Sequence, residues 1–188
     1  MDRRQSIVDA ARQSFSLYGY KATTMDHVAK IANVGKGTIY TFFSSKEELF
    51  EVIVQELIRN VKSLAMNALD PKKAFFENLH RALFAVLEYR QEEEILLRLT
   101  REVRDFGTPA ATEGLKRIEE AILGFIKRQL ELGMENGSIL KCDAELVAFM
   151  IFKTYVALLL EWNHEERALT NEDIAMAFQR VFADGLNP

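Results

Sequence analysis

One cysteine, Cys142, three prolines and one tryptophan stand in a chain of 188 residues. A lone cysteine excludes an internal disulfide and paired-cysteine metal chemistry, and its scarcity points to a reducing, cytoplasmic location. With only nine glycines beside the three prolines, chain breakers are few, which favours long helices. No alternating strand pattern of useful length and no internal repeat is present. No long uncharged apolar run is present either. The most apolar stretch, Ala144 to Trp162, carries Glu145, Lys153 and Glu161. A span needs about 20 nearly uncharged residues, so this stretch reads as a buried helix and no membrane association is expected. The opening MDRRQSIVDAARQSF has no apolar stretch of signal-peptide length. Neither G-x-S-x-G nor H-E-x-x-H occurs, and His27, His80 and His164 are far apart. An enzyme, a resident metal and a cofactor are therefore not expected.

What is present begins with charge. Residues 1–46 carry seven basic side chains against three acidic ones, a net +4. The whole chain has a net charge of −4, so the remainder carries −8. A basic head on an acidic body fits a protein whose head alone meets a polyanion. Hydrophobic residues at 48% and charged residues at 28% are ordinary for a globular chain and exclude disorder as the dominant state.

Helical periodicity organises the rest. Ile7, Ala10, Ala11, Phe15 and Tyr18 fall on one face of a first helix from about Arg3 to Tyr18, stopped by Gly19. Thr23 or Thr24 caps a second helix that turns Met25, Val28, Ala29 and Ala32 inward and ends at Asn33. A third, short helix from about Lys36 to Phe43 carries Ile39 and Phe43 on one side. Ser44-Ser45-Lys46-Glu47-Glu48 offers a capping box for a long fourth helix. Asp70-Pro71 marks a break. Further helices are expected near 72–90, 92–106, 109–135, 143–164 and 171–186. The reading is all-α, about nine helices: an N-terminal three-helix helix-turn-helix domain over 1–46, then a larger helical body over 47–188.

The stretch Asn33–Phe43, NVGKGTIYTFF, has two possible readings. A phosphate-cradling nucleotide loop needs G-x-x-x-x-G-K-[ST] after a buried strand. Here the order is Gly-Lys-Gly-Thr, no glycine precedes Gly35 by five residues, and the preceding segment is helical. That reading fails on spacing and context. As the turn and reading helix of a helix-turn-helix, each residue has a role. Gly35 and Gly37 let a phosphate approach the backbone. Thr38 and Tyr40 project from the first turn, where a reading helix meets base edges. Lys36 reaches a guanine edge or a phosphate. Lys46 and Thr24, at the starts of their helices, suit further phosphates.

Residues from about Ile7 to Phe50 resemble the DNA-binding domain of the TetR family of bacterial transcriptional regulators. The resembling string is Gly19-Tyr20, Thr23-Thr24-Met25, Val28-Ala29, Ala32-Asn33-Val34, Gly37-Thr38-Ile39-Tyr40, Phe43 and Lys46-Glu47-Glu48-Leu49-Phe50. The resemblance implies a homodimeric repressor that binds a palindromic double-stranded DNA operator and is released by a small effector bound in the body. It implies DNA contacts from Thr24, Lys36, Gly37, Thr38, Tyr40, Thr41, Phe42 and Lys46. Two positions depart from the family pattern: Gly35 stands where serine is frequent, and Phe42 where histidine or tyrosine is frequent.

For the dimer interface the last two long helices are favoured, with Phe149, Phe152, Val156, Leu160, Phe178 and Phe182. Apolar residues cover more than one face of 143–164, so more than one neighbour has to bury it. For a mostly hydrophobic effector the candidates are Phe75, Leu79, Leu83, Leu99, Phe106, Phe125 and Tyr155. His80, Arg98 and Arg101 are the polar candidates beside them. The alternative reading is a helical protein-interaction module, or a small-molecule-binding protein without DNA binding.

Overall fold

A computed structural model describes residues 2–162 and 169–186, so His164 lies outside the described residues. Every regular element among them is a helix. The first, α1 (Arg3–Ala22), is capped by the Asp2 carboxylate, which accepts the Arg4 N–H at 3.0 Å. It buries Ile7, Val8, Ala11 and Phe15 completely. The expected stop at Gly19 is instead a kink. Gly19 sits at φ 80°, ψ 176°, and the helix resumes as far as Ala22.

Of the two threonines that could cap α2 (Met25–Ile31), Thr24 does so, accepting the His27 N–H at 3.2 Å. Thr23 is buried and donates to the Gly19 carbonyl at 2.7 Å. Asn33, at φ 54°, makes the left-handed turn expected of it and leads into α3 (Lys36–Phe42). The long α4 (Lys46–Asn67) opens on the serine–glutamate box in a shifted form. Ser45 Oγ accepts the Glu48 N–H, while the Glu48 carboxylate returns to the N–H and hydroxyl of Ser44. Helices α5 (Phe75–Glu92), α6 (Glu94–Phe106) and α7 (Pro109–Glu135) follow. Next comes α8 (Ala144–Val156), extended by a π-helical turn over Ala157–Glu161. The last is α9 (Asn171–Phe178), capped by a Thr170/Asp173 capping box and extended through a second π-helical turn, Gln179–Ala183. A final turn, α10, covers Asp184–Leu186.

Two compact units emerge. One comprises residues Met1–Asn60 and Arg90–Glu119, the other Val61–Tyr89 and Glu120–Pro188. Helices α4, α5 and α7 each pass from one unit into the other.

In the first unit, Phe15, Tyr20 and Phe50 form an aromatic cluster, with ring centroids 5.3 Å apart for Phe15–Phe50 and 4.8 Å for Tyr20–Phe50. Edge-on and stacked pairs of this kind add to the area they bury. Gly114 of α7 lies against Phe50 so closely that an added Cβ would sit 3.1 Å from its ring. In the second unit a chain of aromatic contacts runs Phe75–Phe76–Phe178, and Phe178 also meets Tyr155 and Phe182. Leu79, Leu83, Ile126, Ile151 and Ile174 are buried in the same unit. The Leu140 N–H donates to the Leu186 carbonyl at 2.8 Å and anchors the end of the described chain.

Candidate nucleic-acid interface

The periodicity of α3 sorts its residues by face. Ile39 and, just beyond the helix, Phe43 are sealed in the core of the first unit. The opposite face leaves Lys36, Gly37, Thr41, Tyr40 (46% exposed) and Phe42 (37% exposed) in solvent, with Thr38 half-buried. An exposed tyrosine and phenylalanine one turn from a lysine have no reason in the packing of the unit itself. Thr41 Oγ1 donates to the Thr38 carbonyl at 2.7 Å, and no side chain caps the start of α3 at Gly35.

The glycines of the turn are informative for what they do not contact. Gly37 has an ordinary negative φ, and a Cβ built on it would meet nothing within 4 Å. At Gly35 the nearest atom would be Thr38 Oγ1, at 3.8 Å. Internal packing therefore gives no reason for a bare backbone at either position.

Lys36 is held by Asp26, at the start of α2, with Nζ 2.9 Å from the carboxylate. Both side chains are exposed, and the carboxylate raises the lysine's pKa through the hydrogen bond it accepts. Asp26 was not among the residues expected at this site; its carboxylate occupies the Lys36 ammonium. Lys46 is more committed. It donates to the Tyr20 carbonyl at 2.9 Å, and its ammonium lies 4.2 Å from the Tyr20 ring centroid. Thr24 is exposed at the same end of α2 as Asp26. Arg4 lies over the Phe43 ring at 5.0 Å.

Behind this surface sits a buried carboxylate that the sequence pattern did not single out. Glu102 of α6 is almost wholly buried and accepts the Tyr20 N–H at 2.7 Å and the Lys21 N–H at 3.0 Å. The kink at Gly19 frees these amides from the α1 ladder, and a carboxylate is the acceptor that satisfies both. One turn earlier on α6, Arg98 donates to the Tyr18 carbonyl at 3.3 Å. So α6 holds the main chain of α1 on both sides of the kink. A Cβ on Gly19 would overlap the Glu102 carboxylate. On another face of α1, Arg12 pairs with Glu56 at 2.9 Å and Glu93 at 3.4 Å.

The residues expected to line an effector pocket do not gather into one cavity, which corrects that grouping. Leu99 is core of the first unit. Phe106 is 66% exposed with Lys21 over its ring at 4.8 Å. Both belong to the unit that carries the helix-turn-helix. In the second unit Leu79 is buried, and the crevice beside Leu83 and Phe125 has no room even for a water molecule. Only Phe75 borders a cavity of useful size, about 500 Å³, formed by the start of α5, Ser138 and the end of α9. Its lining includes Phe76, Glu77, His80, Phe178 and Gln179. Tyr155 is sealed beneath, its hydroxyl 2.5 Å from His80 Nδ1. Arg101 is exposed.

The candidate interface residues also divide. Phe149 is exposed and Val156 half-buried, whereas Phe152, Phe178 and Phe182 are in the core of the second unit. The Leu160 side chain lies outside what is described. The large apolar side chains left in solvent on α8 and along α9 are Leu146, Phe149, Met150, Met176 and Val181. No helix of the described residues is long and apolar enough to cross a membrane, and no cluster there could hold a metal ion.

The profile of the family described as bacterial regulatory proteins, tetR family, matches residues 7–53. The uncharacterized HTH-type transcriptional regulator YhgD of Bacillus subtilis (strain 168) is 45% identical over 187 residues, covering 100% of this chain and 98% of that one. The HTH-type transcriptional activator FasR of Mycolicibacterium smegmatis is 30% identical over 184 residues, covering 98% and 82%. Among solved structures, the fatty acid degradation regulator FadR of Bacillus halodurans superposes with a TM-score of 0.70 at 20% identity, over 96% of this chain and 94% of that one.

Proposed function

Starting from the premise that this chain belongs to the TetR family of bacterial transcriptional regulators, we propose that it acts as a homodimeric repressor released from a palindromic operator by a small effector. The single observation that carries the DNA role is the outward face of α3. A short helix anchored by Ile39 and Phe43 presents Lys36, Thr38, Tyr40, Thr41 and Phe42, with Gly37 bare and unobstructed. In a major groove such a face reads base edges, and the bare glycine lets the duplex come close. Thr24 and Lys46 contact phosphates. Residues 1–46 form the DNA-binding part, and 47–188 bind the effector and dimerise.

For the dimer, the exposed row Leu146, Phe149 and Met150 on α8, with Met176 and Val181 along α9, is the surface a second copy would cover. Phe152, Phe178 and Phe182 stiffen it from beneath, and Val156 lies at its edge. An effector bound in the body would shift the protein toward a state whose two α3 helices no longer match the roughly 34–36 Å of one DNA turn. A promoter–reporter assay checks the sign: expression is expected to rise when the protein is removed, and a fall would overturn the repressor reading.

The test is selection of sites from a random duplex pool with wild type and Tyr40→Ala in parallel. An inverted repeat enriched by the wild type alone, with affinity falling steeply as salt rises, is the expected result. No enrichment by folded wild-type protein would remove the DNA-binding role.

A further inference from the structure

We propose that the cavity between the start of α5 and the end of α9 is a binding site for an uncharged, flat aromatic molecule that carries one hydrogen-bond acceptor. The inference deepens the effector reading above and rests on it for its regulatory meaning.

The chemistry of the lining makes the case. Phe75, Phe76 and Phe178 border the cavity, and Phe75 and Phe76 meet edge to face with centroids 5.0 Å apart. Aromatic walls of this kind favour a flat partner. A volume of about 500 Å³ suits a small organic ligand. Two lining residues, Gln179 and Ala183, belong to the π-helical turn of α9, and π-helical turns interrupt helices most often where a site is built.

The specific polar group is His80. Its Nδ1 is taken by Tyr155, whose hydroxyl is sealed in the core with no other hydrogen-bond partner among the described residues. Burial keeps the Tyr155 phenol neutral, so its proton needs an acceptor, and Nδ1 is the one within reach. That bond sets the tautomer: the ring proton goes to Nε2. Nε2 has no hydrogen-bond partner among the described residues and is not sealed from solvent. Burial also lowers the His80 pKa, against the opposing pull of Glu77, so the ring stays neutral at pH 7. Among the described residues the lining therefore holds a neutral N–H donor at His80, beside the Gln179 amide and the Ser138 hydroxyl, among three phenylalanines.

The charge of the ligand follows from the rim. Among the described residues the lining carries one carboxylate, Glu77, and no lysine or arginine. A carboxylate ligand would find no lysine or arginine of the lining to pair with, whereas a ketone or amide oxygen matches the His80 N–H without needing one. Glu77 itself is paired with Lys73 at 2.8 Å, so it does not call for a cationic ligand.

The probe is the neutral naphthalene ketone Prodan, titrated by fluorescence into the full chain, beside the same naphthalene without its ketone. Wild type is expected to bind Prodan saturably, with blue-shifted emission, and to prefer it to the ketone-free compound by about tenfold. Ala175→Trp, which fills the cavity from its rim, is expected to abolish binding. His80→Phe, which keeps a ring but removes the donor, is expected to bind both compounds alike. Failure of the wild type to bind Prodan overturns the site. So does undiminished binding by Ala175→Trp, or a ketone preference that survives His80→Phe.

The regulatory reading fails separately. If Prodan fills the cavity by these criteria yet the selected duplex stays bound, the site stands and the effector reading loses its support. If a different small molecule releases the duplex from Ala175→Trp as readily as from wild type, the effector reading stands and this cavity is not its site.

Discussion

Replacing Gly37 by alanine separates packing from recognition at one atom. Gly37 lies in the first turn of α3 with negative φ, and its added Cβ meets nothing of the protein within 4 Å. Alanine is favoured over glycine inside a helix by roughly 0.5–1 kcal/mol, and less near an end. Gly37→Ala is therefore expected to stabilise the fold by about 0.5 kcal/mol, or raise Tm by about 1–2 °C in a chain of this size. On DNA the same methyl group occupies the space a phosphate or sugar needs. Overpacking an interface costs about 1–3 kcal/mol, so the selected duplex should be bound at least about fivefold more weakly. Thermal unfolding and fluorescence anisotropy on the same preparation read both effects. Opposite signs are the signature of the proposed interface. Unchanged DNA affinity would refute it. A fall in stability together with affinity would show that the glycine serves the fold instead.

Other residues yield sharper or simpler outcomes. Glu102→Ala strands the buried N–H of Tyr20 and leaves that of the more exposed Lys21 to water; an unsatisfied buried donor costs about 1–3 kcal/mol, so a loss of about 2 kcal/mol in urea denaturation is expected, and a loss below about 1 kcal/mol would deny the clasp. Asp26→Asn releases Lys36 from its ion pair and should tighten DNA binding about threefold at low salt, fading as salt rises; weaker binding would mean that Asp26 orients the lysine instead. Arg117 forms two hydrogen bonds to Glu51 and holds its carboxyl down at about 2. A depressed folded-state pKa contributes stability that is present above the ordinary value of 4.5 and disappears as pH falls toward 2. Stability followed over that interval should drop less in Arg117→Ala than in wild type, and equal slopes would sink the assignment.

Much of the head was legible because its signals are local. Thr24, Asn33 and the Ser45/Glu48 box act within a few residues of themselves, so cap and turn chemistry announce them. The 3.6-residue period puts Ile39 and Phe43 on one side of the short helix, and both are buried. Glu102 was invisible for the opposite reason. A glutamate in RLTREVRDF looks like any solvated helix residue, and only the arrival of the Tyr20 N–H, freed by the glycine kink and 82 residues away in sequence, makes it a buried acceptor. The pocket grouping failed on similar grounds. Periodicity says that Leu99 and Phe125 face inward, but not into which unit.

The order of residues alone determined that this chain is helical, where most helices begin and end, and that residues 33–43 form a turn and a short helix. These follow from backbone sterics, capping and the helical repeat, which are short-range. Only the tertiary structure decided which large side chains are core and which are left for a partner. It separated Phe152 and Phe178 from Phe149 and Leu146, though all four are equally apolar. It also set Tyr155 against His80, 75 residues apart. Burial and pairing at such distances depend on where whole helices come to rest, and hydrophobicity, having no direction, does not specify that from one segment at a time.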